Sequence, residues 1–221
     1  MNNHLTEVIF ILDRSGSMSG LETDTIGGYN SFLDRQRQDP GESHITTVLF
    51  DDEYEILHDG VPVQKVEPLT SKTYFTLGST ALLDAVGRTI DQVGHRLSQT
   101  PEDQRPGKVI FVITTDGYEN ASRTYSWSQV RDMIRRQREI YSWEFLFLGA
   151  DIDAEGIATD LGISQDHAVS YSKSSEGTEA MFETMACVVS ELKASGRVLS
   201  NWKDDLDPDK KKPAKGKKGK S

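Results

Sequence analysis

The stretch that most constrains the fold is an unbroken apolar run, Val8–Leu12, followed at once by the polar turn Asp13–Ser17. Apolar side chains at successive positions are typical of a strand that is covered on both faces, as in a parallel sheet. The turn then presents an acid and two hydroxyls, Asp13, Ser15 and Ser17, on alternate residues. Hard divalent cations prefer such oxygen ligands. The stretch therefore predicts a metal site at the C-terminal end of a buried strand.

The rest of the chain alternates apolar strands with amphipathic helices. A second wholly apolar run, Val109–Ile113, also ends in polar residues, and shorter runs lie between helical patterns. The predicted helices are 21–38, 80–97, 126–141, 152–161 and 178–194, and the predicted strands are 8–12, 45–50, 53–63, 109–113, 144–149 and 167–171. Prolines place 53–63 at a sheet edge. The fold class is therefore α/β: a doubly wound, mostly parallel central sheet with one antiparallel edge strand and helices on both faces.

Charge is distributed unevenly along the 221 residues. The net charge is −10, but residues 208–221 hold seven Lys and one Asp, which leaves −16 on residues 1–207. We predict a domain over 1–200 and a Lys-rich tail over 201–221 whose last part, 207–221, is disordered because nothing in it can pack. The acidic body argues against nucleic-acid binding except through this tail. Trp202 is either a packing residue or an anchor for the start of the tail.

Several protein classes are disfavoured. A single cysteine, Cys187, permits no intrachain disulfide and no cysteine-rich metal site, and it is predicted to be a core residue of the last helix, as Ile140 is of the third. The N-terminal apolar run is too short for a signal peptide, and no run approaches the roughly 20 residues of a membrane helix. We therefore expect no membrane association and a cytoplasmic location.

Three polar stretches fall where strands end or helices begin: Asp13–Ser17, Gly78–Thr80 and Thr115–Gly117. In a doubly wound sheet the loops at the carboxyl ends of the strands can converge on one edge. Together they offer two carboxylates and three hydroxyls, a set that suits an octahedral Mg²⁺ or Mn²⁺ that keeps some of its waters.

These three blocks, in this order and strand context, resemble the von Willebrand factor type A (vWA) domain over about residues 5–195. The resemblance implies a metal-ion-dependent adhesion site (MIDAS), and all five positions match. Ser15 and Ser17 would be direct ligands, and Thr80 would bind directly or through water. Asp13 and Asp116 would act mostly through bound waters. A second stretch, 147–154 followed by 161–163, is similar to stand-alone bacterial and phage members.

What the resemblance implies is a non-enzymatic binding module. A metal held mainly by neutral hydroxyls keeps much of its positive charge and an open position, which an Asp or Glu of a protein partner can fill. Specificity would come from surrounding loops. Five residues adjacent in sequence are candidates for this rim: Met18, Leu82, Tyr118, Glu119 and Asn120.

Other interpretations remain open at this point. Each polar block alone could be turn or helix-cap chemistry. A metal-dependent hydrolase or phosphotransfer protein could use the same carboxylates, although no catalytic motif and no general base stands out. The tail could associate with nucleic acid. The acidic segment that begins at Asp51 lacks the EF-hand pattern and is predicted to be a solvated turn, and the five histidines are given no role.

Overall fold

A computed structural model describes residues 1–196, 198, 201–204 and 206, and it contains one six-stranded sheet. The strands are β1 (Asn2–Asp13), β2 (Glu42–Phe50), β3 (Tyr54–Pro62), β4 (Pro106–Thr115), β5 (Glu144–Ala150) and β6 (Ala168–Tyr171). Their order is β3-β2-β1-β4-β5-β6. All neighbouring pairs are parallel except β2 and β3, which are antiparallel. The predicted fold class is thus confirmed, including the antiparallel edge strand.

In the described part of the chain, five α-helices cover the sheet: α1 (Glu22–Gln38), α2 (Leu82–Gln99), α3 (Trp127–Tyr141), α4 (Ala154–Asp160) and α5 (Ser175–Ser195). Helices α1 and α5 share one apolar cluster with Val8, Phe10 and Leu12 of β1. Helices α2, α3 and α4 share the other with Ile9 and Ile11. Successive side chains of a strand point to opposite faces, so β1 feeds both cores at once. This is why its sequence is apolar without interruption.

The functional edge follows from the strand order. The chain runs from β1 to β2 on one side and later returns to place β4 on the other side of β1. Ligands of open α/β sheets bind at such a switch point, beyond the carboxyl ends of the strands. Asp13 ends β1 and Thr115 ends β4. The two polar turns that follow these strands therefore start side by side.

Three side chains lie elsewhere than predicted. Cys187 and Ile140 are exposed: Ile140 stands at the margin of the apolar stripe of α3, and Cys187 lies on the face of α5 opposite to its buried stripe. Asp51 is buried rather than solvated. Its carboxylate lies 3.1 Å from the guanidinium of the equally buried Arg14, which also forms an ion pair with Glu55 at 2.6 Å. This acidic turn fastens β1 to the β2–β3 hairpin.

Residues beyond 200 also contact the sheet domain. Trp202 and Leu206 are buried in the cluster that α1 and α5 form, and the Trp202 indole N–H donates to the Asp166 carbonyl at 2.8 Å. The boundary at residue 200 stays a prediction, and the segment 207–221 lies outside the described residues. None of the helices in the described part of the chain is long and apolar enough to cross a membrane.

Candidate metal site

Asp13 lies fully buried at the end of β1, and its two carboxylate oxygens face different partners. One accepts a hydrogen bond from the backbone N–H of Ser15 at 2.7 Å, and the other accepts from the Thr115 hydroxyl at 2.5 Å. The Tyr74 hydroxyl donates to the Asp13 carbonyl at 2.6 Å. These contacts fix both the backbone and the side chain where the polar turn begins.

The hydroxyls of the turn form a short chain that reaches β4. Ser15 Oγ and Ser17 Oγ are 2.9 Å apart, and Ser17 Oγ donates to Asp116 Oδ1 at 2.5 Å. Asp116 follows β4 directly, so this contact joins the ends of two adjacent strands. Four of the five predicted ligands are therefore linked without any intervening group.

Thr80 comes from a separate loop that is fixed by its backbone. The Gly16 N–H donates to the Gly78 carbonyl at 3.0 Å, and Asn120 both accepts from the Thr80 N–H, at 3.0 Å, and donates to the Thr80 carbonyl, at 3.1 Å. A Cβ placed on Gly117 would lie 2.7 Å from Thr80 Oγ1 and 3.3 Å from Ser17 Oγ. The two hydroxyls therefore border the space that a side chain at position 117 would occupy, and a glycine there leaves this space free.

Lys173 is a member of this cluster that the sequence did not predict. Its Nζ lies 2.7 Å from Asp116 Oδ2 and donates to the Ser17 carbonyl at 2.6 Å. The residue follows the four-residue strand β6, which is separated from β1 by β4 and β5. One signal was present, because it is a basic residue just beyond the C-terminal end of a parallel strand. The position in the sequence does not show, however, that the side chain extends to Asp116, and a lysine at such a position is usually solvated.

Burial controls the electrostatics beneath the site. It raises the pKa of Asp13 to about 6, against the lowering effect of hydrogen bonds from Ser15 and Thr115, and the charge of Asp116 adds to the rise. Burial likewise raises the pKa values of the Tyr74 and Tyr171 hydroxyls, and the same two carboxylates add to both. Two carboxylates that are buried in a region of low dielectric constant favour a bound cation, because it would compensate their charge.

The predicted rim is only partly correct. Tyr118 is 62% exposed beside Gly117, but Met18 and Leu82 are buried in the packing beneath the loops. Glu119 accepts from the N–H of Leu83 and so caps the start of α2. Asn120 braces Thr80, as described above. Two exposed apolar residues that were not predicted, Leu77 and Phe75, lie in the segment that leads into the Thr80 loop.

The donor set fits a hard divalent cation. It consists of three neutral hydroxyls and two carboxylates, all of them oxygen donors, and two of the hydroxyls, those of Ser17 and Thr80, border the space beside Gly117. Within the described residues there is no group of three or more His, Cys, Asp or Glu side chains that could hold a metal. A metal site here must therefore depend on the serine and threonine hydroxyls.

Comparison with known proteins supports the fold. No protein-family model matches the sequence, and no curated protein matches it. Among solved structures, proximal thread matrix protein 1 from the mussel byssus matches 84% of this chain and 46% of its own, with a TM-score of 0.59 and 14% identity. The pilus adhesin SpaC from Lactobacillus rhamnosus GG matches 84% of this chain and 30% of its own, with a TM-score of 0.60 and 14% identity.

A further structure of the mussel protein carries a zinc-occupied MIDAS motif and matches with a TM-score of 0.54 and 17% identity. This chain spans less than half the length of these proteins. The likeness shows the fold alone: a mostly parallel sheet with one antiparallel edge strand and helices on both faces.

Proposed function

We propose that this chain is a non-enzymatic binding module that captures an Asp or Glu side chain of a protein partner through a divalent cation, Mg²⁺ or Mn²⁺. The ligands would be Asp13, Ser15, Ser17, Thr80 and Asp116. The observation that carries the proposal is the convergence of the Ser15–Ser17–Asp116 chain and the Thr80 hydroxyl around Gly117. The cytoplasmic location and the bacterial or phage setting remain predictions from the sequence.

Each side chain has a role in this proposal. The hydroxyls of Ser15, Ser17 and Thr80 supply neutral oxygens, and the carboxylates of Asp13 and Asp116 hold those hydroxyls and nearby waters in place. The bound cation would supply an electrophilic position that a carboxylate can occupy. Because most of the direct ligands are neutral, they leave that position strongly attractive to an anion.

The groups that contact the two site carboxylates support binding rather than catalysis. They are hydroxyls of Ser and Thr, a backbone N–H, and an amine that is already ion-paired, that of Lys173. A hydrolase or phosphotransfer protein needs a positioned general base or nucleophile beside the metal. The raised pKa of the Tyr74 and Tyr171 hydroxyls disfavours them in that role.

The exposed surface near the site supports a protein as the ligand. Tyr118 follows Gly117, and Leu77 precedes Gly78, so both flank loops that form the site. Tyr118 is 62% and Leu77 63% exposed, and large exposed aromatic and aliphatic side chains are typical of interface anchors. A partner acid flanked by apolar side chains would match this arrangement.

A peptide selection tests the proposal. The purified chain is immobilised, a random-peptide phage library is bound in Mg²⁺, and bound phage are eluted with EDTA. We expect enrichment of Asp or Glu with apolar neighbours, and loss of binding by Ser15→Ala and Asp13→Ala. Ser79→Ala is the matched control, since it removes an exposed hydroxyl next to Thr80. Acidic peptides that bind equally in EDTA, or to Ser15→Ala, would refute the metal-bridged mechanism.

A further inference from the structure

Lys173 places a positive charge inside the candidate metal site. It lies between β6 and the N-cap of α5, and its side chain, which is about one-third exposed, reaches the fully buried carboxylate of Asp116 at 2.7 Å. The same amine donates to the Ser17 carbonyl at 2.6 Å. Lys173 therefore contacts two of the five candidate ligand residues at once.

The two oxygens of Asp116 are divided between these neighbours. Oδ1 accepts from the Ser17 hydroxyl at 2.5 Å, and Oδ2 faces the Lys173 ammonium. A buried carboxylate requires a compensating charge or several hydrogen bonds. In the part of the chain that the structure describes, Lys173 is the basic residue that forms an ion pair with a site carboxylate. Arg14, which lies within the Asp13–Ser17 turn, pairs with Asp51 and Glu55 instead.

The charges then give a simple account. Asp13 and Asp116 contribute −2 when ionised, and Lys173 contributes +1, so a divalent cation raises the total to +1. Without Lys173 the loaded site would be neutral. An ammonium beside the ion repels it, because like charges a few ångströms apart interact strongly where water is partly excluded. The same surplus charge attracts a carboxylate.

We propose that Lys173 is a built-in cation that shares Asp116 with the divalent metal, weakening metal binding by the free protein and strengthening the joint binding of metal and carboxylate. This inference rests on the proposed function. In the absence of metal, Lys173 compensates the buried Asp116. With metal and an acidic partner both bound, the charges of the site balance.

Metal titration tests the first half. The Kd for Mn²⁺ is measured by isothermal titration calorimetry at neutral pH for the native chain and Lys173→Met. We expect the variant to bind Mn²⁺ about tenfold more tightly or better. Lys173→Arg keeps the charge and should stay within a few-fold of native. Lys65→Met is the matched control: this exposed lysine follows β3 near Pro62, at the opposite edge of the sheet, and its loss should leave the Kd unchanged.

Acetate tests the second half as a minimal carboxylate. Each Mn²⁺ titration is repeated in sodium acetate and in sodium chloride of equal ionic strength. We expect acetate to tighten Mn²⁺ binding to the native chain by a larger factor than to Lys173→Met. In EDTA, Lys173→Met should also have a lower Tm than the native chain, and added Mn²⁺ should close that gap.

Unchanged or weaker Mn²⁺ binding by Lys173→Met would overturn the inference, as would an acetate effect that is equal in both chains. Lys173→Gln takes its place if the methionine variant fails to fold. The proposed function is judged separately, by whether native chain binds Mn²⁺ and Ser15→Ala does not. If neither native nor Lys173→Met binds Mn²⁺, both proposals fail.

Discussion

At the scale of single residues, the site depends on an acid that its surroundings discourage from ionising. Asp13 has no exposed surface, and its pKa is raised from 3.8 to about 6 because burial outweighs the hydrogen bonds from Ser15 and Thr115. A bound cation would reverse that balance. The free energy of unfolding of the metal-free protein should therefore depend on pH through Asp13.

We expect the contribution of Asp13 to the stability of the metal-free chain to fall as pH rises from about 4 to 6. In this window the unfolded chain releases the Asp13 proton while the native chain still holds it. The loss due to Asp13 should reach about 3 kcal/mol and change little above pH 6. Urea unfolding in EDTA at several pH values, compared with Asp13→Asn, measures it. An identical pH profile for Asp13→Asn would contradict the assignment.

Gly117→Ala should damage the site more than the fold. The new Cβ would lie 2.7 Å from Thr80 Oγ1, so the Thr80 hydroxyl must leave its present position. We expect a loss of about 1–3 kcal/mol in unfolding free energy and at least a tenfold weaker affinity for Mn²⁺. Gly94→Ala, whose Cβ meets its nearest atom, on Trp143, at 4.0 Å, is the control. Native Mn²⁺ affinity in Gly117→Ala would argue against Thr80 as a ligand.

At the scale of elements, close contact between α1 and α5 depends on one glycine. A Cβ on Gly28 would lie 2.2 Å from the ring of the buried Phe182, whereas a Cβ on the adjacent Gly27 would meet nothing within 4 Å. Two neighbouring glycines of one helix therefore have opposite tolerance. Substituting each glycine in turn therefore distinguishes the effect of packing between α1 and α5 from the effect of helix propensity.

We expect Gly28→Ala to lower the free energy of unfolding by about 1–3 kcal/mol, because α5 must move away from α1. Gly27→Ala should raise it by up to about 1 kcal/mol, because alanine favours the helix and nothing obstructs it. Chemical denaturation of both variants measures the difference. Equal effects of the two substitutions would show that this contact does not limit the packing.

The elements also show what sequence can and cannot predict. The buried strands and the Asp13–Ser17 turn could be predicted because their signals are local: an apolar run and a polar alternation. The contact of Lys173 with Asp116 could not, since it depends on where β6 lies relative to β4 in the finished sheet. Tyr74 is a similar case, because its bond to the Asp13 carbonyl joins residues 61 positions apart. Cys187 shows that an apolar residue of an amphipathic helix need not lie on its buried face, and Ile140 shows that the helical period does not set the margins of that face.

At the scale of the whole molecule, the packed body includes residues beyond 200. Trp202 is 8% exposed, and its indole bonds the carbonyl of Asp166, which precedes β6. We expect Trp202→Ala to cost about 3–5 kcal/mol of unfolding free energy while leaving the Kd for Mn²⁺ unchanged. Tyr141→Ala, at an exposed aromatic, is the control and should cost far less. A stability of Trp202→Ala near that of the control would mean that this segment adds little to the domain.

The position of β1 has a mechanical consequence. The strand begins at Asn2 and ends at Asp13 in the candidate site. It is paired in parallel with β2 on one side and with β4 on the other. A force directed along the axis of this strand, between Asn2 and Asp13, would act on both of these pairings. The hydrogen bonds to both neighbours would then be sheared together rather than opened one after another. In the proposed function, a partner bound beyond the carboxyl end of β1 would therefore transmit force to a strand that is held from both sides.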